Sequence, residues 1–409
     1  MVAKRNAHGS PLSEFLNPVD AMQEADELFG CLTGPMPEDF VSFADVMAQP
    51  SLIPSYVRRI DMCLSMASAF HKLHGKCGCC FRYIDYNRVL VNPTSGLVMF
   101  VGGEDLTTEG SLVGDCGLTE LMAPERFIAR LMGSASQLSD LHSLGVLVFQ
   151  LLFQQHLLYT GEQESSLLDL GFGQGFVFDP ETLRNDLIES PDDDTMQKWF
   201  CMPQHMKDFL RRAFSHDALH CPAVRPPVVE WMRELARLRA EVVQCRCGNE
   251  VVLDGAKGRA CDKCGELCAG EYDLVLPGVK VPVSRDMQVY RCQVDCACGA
   301  ERALELEARV AGPKYGGKNL AIHDVSHGSW KAMLKGCELT VQPGQSAPVM
   351  DGLGLEILGE VVQVYRHVEV ERPVFGLVLR SGGEWVDARK TSGGNPPCFA
   401  TCVQEHENG

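Results

Sequence analysis

A chain of 409 residues with 45% hydrophobic content is long enough for two to four domains and apolar enough to bury ordinary globular cores. A formal net charge of -17 argues against nucleic acid as a partner, because affinity for a phosphate backbone comes from clustered Lys and Arg. The 19 cysteines would suit a small disulfide-rich secreted domain, but this chain is large, several of them fall at metal-like spacings, and no apolar run follows the basic residues of its first stretch. Reduced thiols, a metal site and a cytoplasmic location are therefore expected, with no signal peptide and no membrane anchor.

In chain order, residues 1–35 are polar, and Asn17 to Leu28 predicts a helix with Asp20, Glu24 and Asp26 on its wet side. Ser55 to His74 predicts another, since Val57, Ile60, Leu64, Ala67, Phe70 and Leu73 recur at three- and four-residue steps and Gly75 is placed to cap it. The stretch Leu138 to Tyr159 is apolar on nearly every face from Leu144 to Phe153. Gln150, Gln154 and Gln155 interrupt it well short of the roughly 18 apolar residues that a membrane span needs, so it reads as a core helix. Residues 160–200 form a Gly- and Asp-rich insertion whose Gly171 to Gly175 lacks the strand and helix that flank a nucleotide loop. Helices resume at Pro203 to Phe214 and Pro227 to Val243.

There the composition changes. Cys245-Arg-Cys247, a thirteen-residue spacer beginning with Gly248, and Cys261-Asp-Lys-Cys264-Gly265 have the form of a zinc ribbon: two knuckles whose glycines let backbone amides turn toward thiolate sulfurs. A structural four-thiolate Zn2+ site at Cys245, Cys247, Cys261 and Cys264 is expected. Cys296-Ala-Cys298-Gly299 repeats the first knuckle, so Cys268, Cys292, Cys296 and Cys298 read either as ordinary reduced cysteines, the favoured case, or as a second set of ligands. From Tyr272 the helical period gives way to short runs separated by Gly, Pro and Asp turns: Leu274 to Leu276, Val289 to Val294, Ala303 to Val310, Leu320 to Val325, Glu338 to Val341, and Gly354 to Tyr365. A β-sandwich is predicted.

Two resemblances add to this reading. LMAPERF at 121–127, followed by SDLHSLGVLVFQLLF at 139–153, resembles the end of the activation segment and the central helix of a protein kinase C-lobe. More narrowly, it is similar to bacterial kinase-like proteins often encoded beside a PP2C-type phosphatase and a von Willebrand A domain protein. The likeness runs from about Met36, where MPEDF resembles the hinge, to Trp231. It implies an α+β multidomain fold: a reduced N-lobe remnant over 1–35, a mainly helical C-lobe over 36–243, the zinc ribbon over 244–270, and the β-sandwich over 271–387. A disordered tail is expected over 388–409. The sandwich is FHA-like, since Ile322 to Trp330, Val341 and Ala347 to Ile357 resemble the latter half of a forkhead-associated domain. Ser284, Arg285 and His327 are only nominal candidates for its phosphopeptide residues.

In the kinase frame, Tyr83, Arg88 and Gly102 fall where the resemblance implies a catalytic Asp, an Asn on Mg2+ and a second metal-binding Asp. Arg82 matches that loop's structural arginine. Glu125 and Arg225 match a structural ion pair, and Asp140 the acid that accepts hydrogen bonds from the catalytic-loop backbone. Asp85, Glu104 and Asp105 remain as displaced acids, with Glu104 and Asp105 expected to be exposed in a loop. The function so implied is that of a pseudokinase scaffold binding partner proteins, among them a PP2C-type phosphatase and a von Willebrand A domain protein. ATP-Mg2+ is not expected as a cofactor. The alternative is a divergent Ser/Thr protein kinase.

Overall fold

The structure is a computed structural model that describes residues 37–112, 119–128, 133–154, 192–255, 257–312 and 320–367. It also describes the surroundings of Phe176 and Phe178 and the backbone of four strands at 18–24, 27–33, 378–381 and 384–387. The described residues are α+β, a mainly helical unit with short strands among its helices being followed by larger antiparallel sheets. The loop at Gly171 to Gly175 and the tail from 388 lie outside the described residues.

The first described elements form a hairpin, β1 (Pro18–Glu24) against β2 (Glu27–Thr33), where the sequence predicts a helix. Helix propensity is a weak prior, and the apolar run from Leu28 to Leu32 supplies a pairing partner that a helix ending at Leu28 would leave unused. Strand β3 (Val41–Ser42) leads into α1 (Phe43–Ala48), closed by a capping box in which Ser42 and Asp45 satisfy each other's backbone amides. Helix α2 (Tyr56–Cys77) runs three residues past the expected end at His74. Gly78, not Gly75, takes the left-handed conformation at its end, with φ of 58°.

Short strands β4 (Cys79–Phe81), β5 (Val89–Val91), β6 (Val98–Phe100) and β7 (Leu106–Thr108) follow. They pair as β3-β5-β6 and β4-β7. After α3 (Pro124–Ile128) comes α4 (Gln137–Phe153), in which every residue from Ser139 to Phe153 is buried. Its all-round apolarity has this cause: α2 packs along it, while Phe214 and Trp231 close over Gly145, where any Cβ would collide with the Phe214 ring. Helices α5 (Asp193–Cys201), α6 (Gln204–Ala213), α7 (His216–His220) and α8 (Val228–Ala240) complete the helical unit. Arg239 on α8 reaches Asp61 on α2 at 2.9 Å.

The cysteine-rich segment comprises β8 (Val242–Gln244), β9 (Glu250–Val252), β10 (Arg259–Ala260) and β11 (Leu267–Cys268), paired as two hairpins. Beyond it, β12 (Tyr272–Leu276), β13 (Val279–Pro282), β14 (Gln288–Tyr290) and α9 (Arg291–Val294) precede β15 (Leu306–Ala311) and β16 (Ala321–Asp324). Then come β17 (Trp330–Leu334), β18 (Cys337–Val341), β19 (Ser346–Pro348), β20 (Leu353–Ile357) and β21 (Glu360–Arg366). They form a six-stranded sheet, order β13-β12-β21-β20-β17-β18, and a four-stranded one, β14-β15-β16-β19. The sheets share a core that includes Leu274, Val310, Ile322, Trp330 and Leu355. A last hairpin pairs β22 (Val378–Ser381) with β23 (Glu384–Asp387).

Two predicted strands come out differently. Val289 to Val294 breaks at Arg291 into the turn of α9, whose Cys292, with Cys298 and Ala303, packs into the core of the helical unit rather than the sandwich. Gly354 to Tyr365 is two strands, because Leu358 and Gly359 turn the chain with φ of 56° and 83°. Among the described residues no helix is long and apolar enough to cross a membrane.

Candidate functional sites

Four thiols converge at the ends of the two ribbon hairpins. Cys245 and Cys264 stand 3.5 Å apart at sulfur, Cys247 and Cys261 3.6 Å, and all four sulfurs lie within 4.8 Å of one another. A tetrahedral ion with metal–sulfur bonds of about 2.3 Å sets its sulfurs about 3.8 Å apart, so this set matches zinc in ligand type and spacing. The knuckle geometry explains why. Gly248 and Gly265, with φ of 86° and 74°, close the two turns by donating to the carbonyls of Cys245 and Cys261 at 2.9 and 2.8 Å. Burial pushes the Cys261 thiol up, but the amides of Cys264 and Lys263 and the Asn249 side chain bring it down to about 6. That favours the thiolate a metal requires.

The other cysteines are arranged differently. Cys268 stands beside Cys245, and burial together with that neighbour raises its thiol to about 12. Cys292, Cys296 and Cys298 form no such convergent set among the described residues. Their loop is held instead by Arg233, which donates to the carbonyls of Cys296 and Cys298 at 2.9 and 3.2 Å.

The second cluster lies between β4 and β7. Arg88, on the turn before β5, directs its guanidinium at Asp105 in an ion pair, approaches Asp85 at 3.6 Å, and stacks on the Tyr83 ring at 5.1 Å. Arg82 adds a second cation at 3.6 Å from Asp105. Asp105 is only 5% exposed, which corrects the expectation of a solvated loop acid: two arginines neutralise it. Gly102, with φ of 84°, lies directly under the Arg88 guanidinium, and a Cβ there would occupy the guanidinium's place. Asp85 spends one oxygen on the amides of Asn87 and Arg88, at 2.8 and 3.1 Å. The side chain of Glu104 lies outside the described residues.

Three polar pairs brace the helical unit. Asp140, at the start of α4, accepts from the Phe81 amide at 3.1 Å and meets His74 of α2 at 2.8 Å. Burial raises its carboxyl to about 6 despite those partners. Glu125 and Arg225 form a two-pronged pair at 2.8 and 2.7 Å. Burial opposes the Glu125 charge, and Arg225 more than offsets this, holding the carboxyl below its ordinary value. A small cleft of about 30 Å³ opens beside Asp140, lined by Arg82, Tyr83, Thr119, Met122 and Arg126 among others.

The third pair is illegible in the sequence: His205 on α6 is bonded through both ring nitrogens, to Glu234 at 2.6 Å and to the fully buried Glu241 at 2.8 Å. Ser284 and Arg285 fall in the β13–β14 connection and His327 in the exposed turn before β17. Comparison with protein-family models and with curated proteins gives no match.

Proposed function

We propose that the chain is a catalytically inactive, protein-kinase-like scaffold that binds partner proteins in a bacterial signalling module. In this reading the helical unit is a C-lobe-type platform, the four-cysteine ribbon is its structural zinc site, and the β-sandwich is FHA-like. One observation carries the proposal. Where phosphoryl transfer would need acids free to hold a divalent ion, Asp85 and Asp105 are already paired with the chain's own arginines, and Gly102 offers no ligand. A positioned base contributes about 10²- to 10⁴-fold, and the metal ions that bridge the phosphates matter still more. Tyr83, at the position of the base, is engaged as the ring under Arg88.

The test is transfer of radiolabelled phosphate from ATP-Mg2+ by the purified full chain to itself and to a generic protein substrate. No transfer is expected. Transfer by the wild type that disappears in the triple variant Asp85→Asn, Glu104→Gln, Asp105→Asn would establish the divergent kinase instead. The partners proposed are a PP2C-type phosphatase and a von Willebrand A domain protein in the cytoplasm, and direct binding of the purified proteins checks them.

A further inference from the structure

The ribbon does more than hold a metal: its acids finish helices that belong to the other unit. Glu250 is the first residue of β9, one step beyond the knuckle loop that carries Cys245, Cys247 and Asn249. Its carboxylate accepts from the Tyr56 and Val57 amides at 2.5 and 3.1 Å and from the Ser55 hydroxyl at 2.8 Å. Ser55 in turn accepts from the Arg58 amide at 3.2 Å, so all three amides of the first turn of α2 are satisfied, two of them by the ribbon. A carboxylate at this end also meets the positive end of the helix dipole.

A second acid repeats the arrangement. Helix α6 begins after Pro203, which has no side-chain hydroxyl or carboxylate to cap it. Asp254, just beyond β9, accepts from the Gln204 amide at 3.3 Å. Nearby, Arg259 of β10 donates to Cys201 at the end of α5 at 2.5 Å, and the Gly255 amide donates to Glu241 at 3.2 Å. The ribbon thus touches the ends of α2, α5, α6 and α8 through polar groups whose positions depend on its two hairpins.

The hairpins are short, and what sets them is the four-thiol site. The first turn is closed by Cys245 N to Asn249 O at 2.8 Å, and the Asn249 amide nitrogen approaches Cys261 Sγ at 3.6 Å. With two- and three-residue strands and a small apolar cluster that is half cysteine, the segment has little of its own to fold around without metal. We infer that the ribbon is a metal-operated clamp: metal occupancy places Glu250 and Asp254 on the N-termini of α2 and α6, and metal loss releases both helix starts while the buried helix α4 stays folded. This rests on the metal reading of the four cysteines.

Hydrogen exchange on the full chain, loaded with Zn2+ and then stripped by a chelator, tests it, with zinc stoichiometry measured separately. Stripping should speed exchange at Tyr56, Val57 and Gln204 by about tenfold or more, the scale of losing a hydrogen bond to a charged acceptor, and leave α4 unchanged. The double variant Glu250→Gln, Asp254→Asn should show the same fast exchange while still holding its zinc. Exchange that speeds up in the ribbon alone would overturn the clamp and leave the metal site standing. Simultaneous loss of protection in α4 would also overturn it, showing a metal needed for the whole fold, and a chain that binds no zinc would sink both readings.

Discussion

Two clusters of metal-type ligands sit on one molecule and differ in who supplies the positive charge. At Cys245, Cys247, Cys261 and Cys264, four potential anions converge with amides aimed at sulfur, and the nearby cation Arg246 turns outward to Glu266 at 3.1 Å. At Asp85 and Asp105 the cations are built in, as Arg88 and Arg82. The first arrangement gains by taking an ion from solution; the second has nothing to gain. An acidic cluster is therefore judged by its counter-charges before its acids are counted.

The largest expected effect breaks the first cluster. Structural zinc in such sites is worth about 10–16 kcal/mol at neutral pH. Protein purified without chelator should carry one zinc per chain, and Cys261→Ser should lose it; less than half an equivalent in the wild type would remove the contrast between the clusters. Next come the pairs that brace the helical unit. Asp140→Ala or Arg225→Ala strips one partner from a buried pair and should cost about 3–5 kcal/mol in denaturant melts. Because Arg225 holds Glu125 below its ordinary value, that pair stabilises above the unfolded carboxyl pKa of about 4.3 and is lost as pH falls through the lower folded value. Arg225→Ala should flatten this acid limb.

A smaller effect sharpens the comparison directly. Arg88→Asn removes the cation that pairs with both Asp85 and Asp105, leaving only Arg82 at 3.6 Å from Asp105. At ten times its dissociation constant, Mg2+ should then stabilise the variant by about 1.4 kcal/mol, a shift of a few degrees in a thermal melt, and leave the wild type unmoved. A wild type that responds as strongly as the variant would show that Arg88 does not fill the site. The smallest effect concerns His205, where burial lowers the pKa but Glu234 and Glu241 hold it above 6.5. Its stabilisation is fully present below pH 6.5 and fades as pH rises through the folded value, so His205→Gln should remove that alkaline decline.

What the sequence made legible follows from how local the cause is. The knuckles are local: thiols and turning glycines stand within a few residues of each other, and they converge where the spacing places them. The buried helix was readable because its apolarity is continuous, and the pairing of Glu125 with Arg225 because a resemblance named both partners. The β1–β2 hairpin was misread because its partner strand lies past the apparent helix end. Asp105 was misread because burial depends on Arg82 and Arg88 folding over it. Glu250 and His205 carry no pattern at all; their roles appear only when chain segments nearly 200 and 36 residues apart meet.

The segment from Cys292 to Ala303 has a consequence for how this protein could be taken apart or recombined. It leaves the sandwich between β14 and β15, fills a hollow against α8, bonds Ala236 O through Gln293 at 3.2 Å, and returns. The order of packing is thus interleaved with the order of the chain. A gene fusion cut where the composition changes, near residue 243, would deliver a helical unit with an open seat and a sandwich with a loose finger carrying three cysteines. A shuffled copy would betray itself by newly reactive thiols at Cys292 and Cys298, both buried in the intact molecule.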